Sequence, residues 1–346
     1  MNKLSFSIGN KIIGSGHDIL IQSMSDRKTS DIDYNVKLTS DLEKMGLDMM
    51  RFSVLDHEDA LLIGEIKKQV NIPIIADIHF DYTLALQSIQ SGVDKIRINP
   101  GNIGGEVRLR QVINACREKN IPIRIGVNSG SLNAYRGKTD NQADDFLLAM
   151  DETISVFESE NFENLVLSLK SSSPSLSEEL YLKANERYKY PLHIGLTESG
   201  YGTIGSIKSA VTLFPLLSKG IGDTIRVSLA DERKEEMRAV KTLLGLSGRK
   251  SNIPELIVCP SCGRTQIDLK PIAREVNDHL DYVFKNIKVA VMGCPVNGIG
   301  EAKDADYGIA GSGKKDVYLL FSKGKPLGLY NKKEAVARLF SLIDSF

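Results

Sequence analysis

The chain has 346 residues, with 44 Lys plus Arg against 44 Asp plus Glu. About twice the length of one ordinary domain, it can bury two cores; its zero formal charge excludes a global pull toward nucleic acid or membrane, so any basic site must be local. No apolar run reaches the ~18 residues that a spanning helix needs, and Met1 to Asn10 does not read as a secretory signal, so a cytoplasmic protein with reduced thiols is expected.

From residue 19 to about 246, short apolar runs alternate with longer amphipathic ones. Eight strands are expected: Ile19 to Met24, Asp48 to Val54, Ile72 to Asp77, Lys95 to Asn99, Pro122 to Val127, Asn164 to Lys170, Leu192 to Thr197 and Asp223 to Ser228. Stretches of helical period follow them, among them Asp41 to Met45, Leu61 to Val70, Glu106 to Glu118 and Asp145 to Glu158. Cys116 falls on the apolar stripe of the third and reads as a small core residue. Eight such units in this length match a TIM (β/α)8 barrel. The runner-up, an open doubly wound sheet, would carry a Gly-rich loop after its first strand, and Ser23-Met24-Ser25-Asp26 is not one.

Leu246 to Asn252 is small, polar and charged, and sets the expected boundary between residues 1–247, a barrel, and 248–346, a small α/β domain. In the latter Ile257-Val258, Val289 to Met292, Val317 to Phe321 and Leu327 to Tyr330 read as strands, and Lys332 to Ile343 as a closing helix. Gly311-Ser312-Gly313-Lys314 is a glycine turn without P-loop spacing, and no flavin or nucleotide motif is visible.

Side chains alternate along a strand, and barrels of this type collect their sites at the carboxyl ends of the strands. Arg51 and Ser53 share a face, as do Asp77 and His79, Arg97 and Asn99, Arg124 and Asn128, Ser168 and Lys170, and Arg226 and Ser228. Five cations at one mouth call for anions of comparable charge, because a buried guanidinium is costly unless paired. A diphosphate fits, since arginine binds phosphate oxygens in pairs while Lys170 acts as a point charge. The alternative is salt bridging to Asp77, Glu198 or Asp231 at the rim.

Three of the four cysteines form one constellation, Cys259-Pro-Ser-Cys262 and Gly293-Cys294-Pro295, with Glu301 shortly after. Three soft ligands suit an iron-sulfur cluster, which tolerates an unusual fourth ligand; structural zinc remains open, although no second CxxC and no HxxxH follows.

Ala76 to Phe80, Ile96 to Gly104, Pro122 to Leu132, Gly222 to Leu229, Cys259 to Arg264 and Val291 to Cys294 together resemble the 4-hydroxy-3-methylbut-2-enyl diphosphate synthases of the methylerythritol phosphate route to isoprenoids, in their bacterial two-domain form. The resemblance runs through nearly the whole chain. It implies reductive ring opening and dehydration of 2-C-methyl-D-erythritol 2,4-cyclodiphosphate, with two electrons passed through a [4Fe-4S] cluster from flavodoxin or ferredoxin. Cys259, Cys262, Cys294 and Glu301 take the places of the cluster ligands, Glu301 as the labile one. Arg51, Arg97, Arg124, Lys170 and Arg226 take those of the diphosphate-binding groups, with Asn128 and His193 assisting. Asp77 and Glu198 match acids proposed as proton handlers, Asp77 alternatively orienting a nearby arginine. A head-to-tail homodimer is implied, in which the cluster domain of one subunit caps the barrel of its partner.

One position and one segment depart from the family pattern. Ile299 stands where the family usually has proline between Gly298 and Gly300, which removes a fixed φ angle near Glu301. Ser25-Asp26-Arg27-Lys28-Thr29 carries more charge than the usual small polar string after the first strand. Two other classes of function share parts of this pattern: a cluster-bearing sensor, disfavoured because no arginine or acid is missing at the barrel mouth, and a pterin-binding barrel transferase with a zinc domain.

Overall fold

The computed structural model describes residues 2–128, 137–139, 141–296 and 300–346, with only the backbone of Asn128. The chain forms two compact units, Met1–Leu243 and Leu244–Phe346. Among the described residues no helix is long and apolar enough to cross a membrane.

The first unit begins with an antiparallel hairpin, β1 (Phe6–Ile8) and β2 (Lys11–Ile13), which the sequence reading missed because each arm has only three residues. Gly9 turns it at φ +55, where a Cβ would stand 2.7 Å from Asp94 Oδ1, so a side chain there would be strained and would displace Asp94. Ile8 and Ile13 are fully buried and pack on Leu20, Met49, Ile75 and Val166. Each such burial is worth roughly 1.5–3 kcal/mol, and together they seal the amino end of the barrel lumen with apolar side chains.

Eight parallel strands follow: β3 (Leu20–Met24), β4 (Met49–Val54), β5 (Ile74–Ile78), β6 (Lys95–Ile98), β7 (Ile123–Asn128), β8 (Leu165–Lys170), β9 (His193–Ile194) and β10 (Thr224–Ile225). They pair in the order β8-β7-β6-β5-β4-β3-β10-β9, and a bridge between Leu167 and Leu192 joins the two ends into a ring. The expected TIM barrel is therefore present, each expected strand found within a few residues. β9 and β10 are much shorter than their apolar runs. Gly195 interrupts the first, and the amide of Leu229 beyond the second bonds to the Glu236 carboxylate at 2.9 Å instead of to a strand. The helix Glu106–Glu118 has the expected bounds and buries Cys116 completely.

The second unit is one sheet in the order β11 (Glu255–Val258), β12 (Lys288–Met292), β13 (Tyr307–Gly311), β14 (Tyr318–Ser322) and β15 (Lys325–Tyr330). The first three strands run parallel and the rest antiparallel. Helices Leu269–Leu280 and Lys332–Ser345 bury Ile272, Val276, Leu339 and Ile343 in its core. The sequence reading missed β13, whose Tyr-Gly-Ile-Ala-Gly string looks like a turn. At Gly308 a Cβ would stand 2.8 Å from the Ala290 carbonyl and would strike the Phe321 ring, so the glycine marks close packing rather than a break.

Candidate active site

Because β1 and β2 block one end of the barrel, polar side chains on the lumen face can reach solvent only at the other. There a cavity of about 230 Å³ is lined by Arg51, Arg97, Arg124, Lys170 and Arg226, together with Ser168, Glu198 and Ser228. The period-2 alternation of β4, β6, β7 and β8 aims the first four inward, and in-register pairing sets Arg97 beside Arg124 and Asp77 beside Arg97. All five cations expected from the sequence share one pocket.

Two buried carboxylates organise these cations from behind. Asp77 is 2% exposed; its Oδ1 accepts from Arg97 Nη1 at 3.0 Å, and its Oδ2 lies 3.6 Å from both Arg51 Nε and His79 Nε2. Burial alone would raise its pKa. The Arg51 charge, the His79 hydrogen bond, Arg97 and Arg124 together outweigh burial and hold the carboxyl well below the usual range. Asp77 is thus a fixed anion. Glu236, on the helix Arg233–Leu246, joins Arg226 Nη2 at 3.2 Å, Arg233, the Leu229 amide and Ser23 Oγ at 3.1 Å.

Charge is far from balanced. Arg51 donates to Met24 Sδ at 3.1 and 2.7 Å, and Arg226 Nη1 lies 3.4 Å from the same sulfur; a thioether accepts without neutralising either cation. Burial, with Arg226 and Arg97 adding to it and Asp77 opposing, pulls Arg51 down to about 10. Arg124 is 3% exposed, with Nε and Nη1 buried and unpartnered among the described residues. Nε of Arg97 and of Arg226 is likewise without a partner. Lys170 has no hydrogen bond among the described residues, and burial followed by the charges of Arg124, Arg51, Arg226 and Arg97 lowers its pKa far below the ordinary value. Gly195 makes room for it, since a Cβ there would stand 2.8 Å from Lys170 Nζ.

The remaining expected residues are spread around this pocket. Glu198 lines the cavity with an exposed side chain and a left-handed backbone, φ +55, a conformation that costs a non-glycine residue of order 1 kcal/mol and recurs at functional sites. His193 is fully buried and does not line the cavity; its Nδ1 pairs with Thr224 Oγ1 at 2.8 Å. Burial, then Lys170 and Arg124, keep its imidazole neutral. Asn128 ends β7, and its side chain lies outside the described residues, as does Ile299.

The charged segment after β3 is engaged locally. Tyr34 donates to Asp26 at 2.9 Å, Arg27 lies 4.7 Å from the Tyr34 ring centre, and Thr29 Oγ1 donates to the Ser53 carbonyl at 2.6 Å.

In the second unit no disulfide joins the cysteines. Cys259 and Cys294 follow the adjacent parallel strands β11 and β12 and are buried, while Cys262 and Glu301 are exposed. The loops are knit by Gln266 N to the Gly293 carbonyl at 2.8 Å and Thr265 N to the Cys262 carbonyl at 3.0 Å. Among the described residues no three His, Cys, Asp or Glu side chains are gathered as a ready metal site. The donor set, two thiols just past strand ends and a third, Cys262, in the loop after β11, nevertheless suits iron and sulfide.

Comparison with known proteins adds to this geometry. Residues 4–241 match the family described as GcpE TIM-barrel domain, and residues 255–345 match the GcpE protein C-terminal domain. The chain is 46% identical over 343 residues to the 4-hydroxy-3-methylbut-2-en-1-yl diphosphate synthase (flavodoxin) of Clostridium perfringens, covering 98% of this chain and 97% of that one. It is 45% identical over 351 residues to the protein of that name from Caldanaerobacter subterraneus, covering 99% and 98%. Among solved structures, a dihydropteroate synthetase superposes with TM-score 0.54 at 10% identity, covering 71% of this chain and 98% of that one. The Yersinia pestis dihydropteroate synthase gives 0.53 at 10% identity, covering 70% and 98%. At such identity the likeness concerns the barrel fold alone.

Proposed function

The chain belongs to the GcpE family, and from that premise we propose that it is a 4-hydroxy-3-methylbut-2-en-1-yl diphosphate synthase, an oxidoreductase of isoprenoid biosynthesis. Its substrate is 2-C-methyl-D-erythritol 2,4-cyclodiphosphate, opened reductively and dehydrated with two electrons from flavodoxin, ferredoxin being the alternative donor. The observation that carries this reading is the surplus of cations around one cavity, three of whose arginines, Arg97, Arg124 and Arg226, keep buried N–H groups unpartnered among the described residues. Such groups are costly to maintain unless an anion takes them up.

Cys259, Cys262, Cys294 and Glu301 would hold a [4Fe-4S] cluster, in keeping with the soft donor set beyond the strand ends. When bound, that group would relay the donor's two electrons, one at a time. In the barrel, Arg124 and Arg97 present forked N–H pairs to the phosphates, Lys170 adds a point charge and Arg226 closes the opposite wall. Asp77 holds Arg51 and Arg97 in place and, as a fixed anion, does not donate a proton. That role falls to Glu198, whose carboxyl lines the cavity and can deliver a proton to the hydroxyl that leaves as water. The chain works as a head-to-tail homodimer, a reading that rests on the family resemblance.

Anaerobic preparation followed by iron and acid-labile sulfide analysis, then incubation with the cyclic diphosphate and reduced flavodoxin, tests the reading. Iron and sulfide in equal amount with donor-dependent product are expected. Stoichiometric zinc with no sulfide, or cluster-loaded protein that leaves the substrate intact, would refute it.

A further inference from the structure

Lys95 opens β6 and is fully buried inside the barrel. Its Nζ lies 3.3 Å from Met49 Sδ, and it pairs with no carboxylate among the described residues. It shares the lumen face with Arg97, two residues on, and so stands ~6.6 Å beneath that arginine's level. The cavity lined by Arg97 lies above it. Charged or titratable groups on or just past the neighbouring strands are Arg51 on β4, Asp77 on β5, Arg124 on β7, Lys170 on β8, His193 on β9 and Arg226 immediately after β10. The one carboxylate among them, Asp77, is already engaged by Arg51 and Arg97.

An ammonium group in this setting is desolvated and surrounded by like charge, and both effects favour its neutral form. Two negative charges brought into the cavity above would reverse the balance. We propose that Lys95 is a neutral amine in the ligand-free enzyme and takes up a proton when the diphosphate binds above it, so that proton uptake forms part of the substrate affinity. The same surroundings, burial first and then Arg124 and Arg51, lower its pKa well below the ordinary lysine value. Each phosphorus of a cyclic diphosphate carries one acidic hydroxyl, ionised throughout the neutral range, so the ligand itself brings no proton. Because binding raises the pKa of a group depressed in the free enzyme, affinity is greatest at low pH and falls as pH rises. The inference rests on the reading of the cavity as a diphosphate site.

Calorimetric titration of the cluster-loaded enzyme with the cyclic diphosphate, without reductant, in two buffers of different ionisation enthalpy reads the proton count directly. Uptake of about one proton per ligand is expected in the wild type. Lys95→Met should lose that uptake and bind roughly tenfold more weakly. Buffer-independent heat in the wild type would overturn the proposal, as would full uptake retained in Lys95→Met, which would move the proton to Lys170 or His193. Should that variant fail to fold, the wild-type Kd across pH decides: a rise with pH supports the proposal and a flat profile overturns it. Absence of any binding to the wild type would overturn the diphosphate reading itself, and this inference with it.

Discussion

Asp77 Oδ1 accepts a 3.0 Å hydrogen bond from Arg97 Nη1, and both side chains are withdrawn from water. Replacing this carboxylate by an amide leaves Arg97 and Arg51 without their counter-charge. Asp77→Asn should therefore lose about 3 kcal/mol of unfolding free energy, as measured by denaturant titration of the barrel. A carboxylate depressed in the folded state contributes stability above its unfolded pKa of ~3.9 and loses it as pH falls toward the folded value. The wild type should weaken on acidification below about pH 4, and Asp77→Asn should show less of that dependence.

On the proposed function, Arg124 is a charge carried for binding at the expense of folding. Two of its guanidinium nitrogens are buried and unpartnered among the described residues, and a buried charge exchanged for a well-packed apolar group is often neutral or stabilising by ~1–4 kcal/mol. Arg124→Met should match or exceed the wild type in Tm while losing substrate turnover. A variant that melts well below the wild type would show the arginine to be structural.

Room for Lys170 depends on one glycine. A Cβ at position 195 would stand 2.8 Å from the Arg226 carbonyl and 2.8 Å from Lys170 Nζ. The backbone oxygen cannot retreat as a flexible side chain could. Gly195→Ala should cost roughly 1–3 kcal/mol and raise KM, with iron and sulfide content unchanged.

Glu236 ties Arg226 to Ser23 and to the Leu229 amide. Glu236→Gln keeps the shape and removes the charge. KM should rise by roughly tenfold or more, since a buried charged hydrogen bond is worth about 1.5–3 kcal/mol, and Glu236→Asp should fare no better because the shorter arm cannot span the four partners. Steady-state kinetics on cluster-matched samples reads this.

The barrel was legible because strands buried on both faces are unbroken apolar runs and the intervening helices keep their period. The five cavity cations were legible because alternation puts polar side chains two or, for Arg124 and Asn128, four residues apart on one face where a strand reaches solvent or a ligand. Other features left no such trace. Lys95 follows Asp94 at the start of a strand, where a lysine ordinarily faces water. Met24 reads as core, since nothing in a sequence tells a packed thioether from one set between Arg51 and Arg226. Glu236 sits in Arg233-Lys234-Glu235-Glu236, the pattern of a solvated first turn, yet the turn points back over the mouth and buries it to 3%. Nor does the sequence tell that Asp77 is buried among arginines while Glu198 stands exposed at the cavity.

The decisive measurement is kcat/KM for the cyclic diphosphate in Arg124→Ala against the wild type, with reduced flavodoxin and with iron and sulfide matched between samples. A cation that grips the diphosphate directly should cost on the order of 10²- to 10⁴-fold in kcat/KM when removed, with the cluster spectrum unaltered. A kcat/KM within a factor of about two of the wild type would contradict the assignment of this cavity as the diphosphate site.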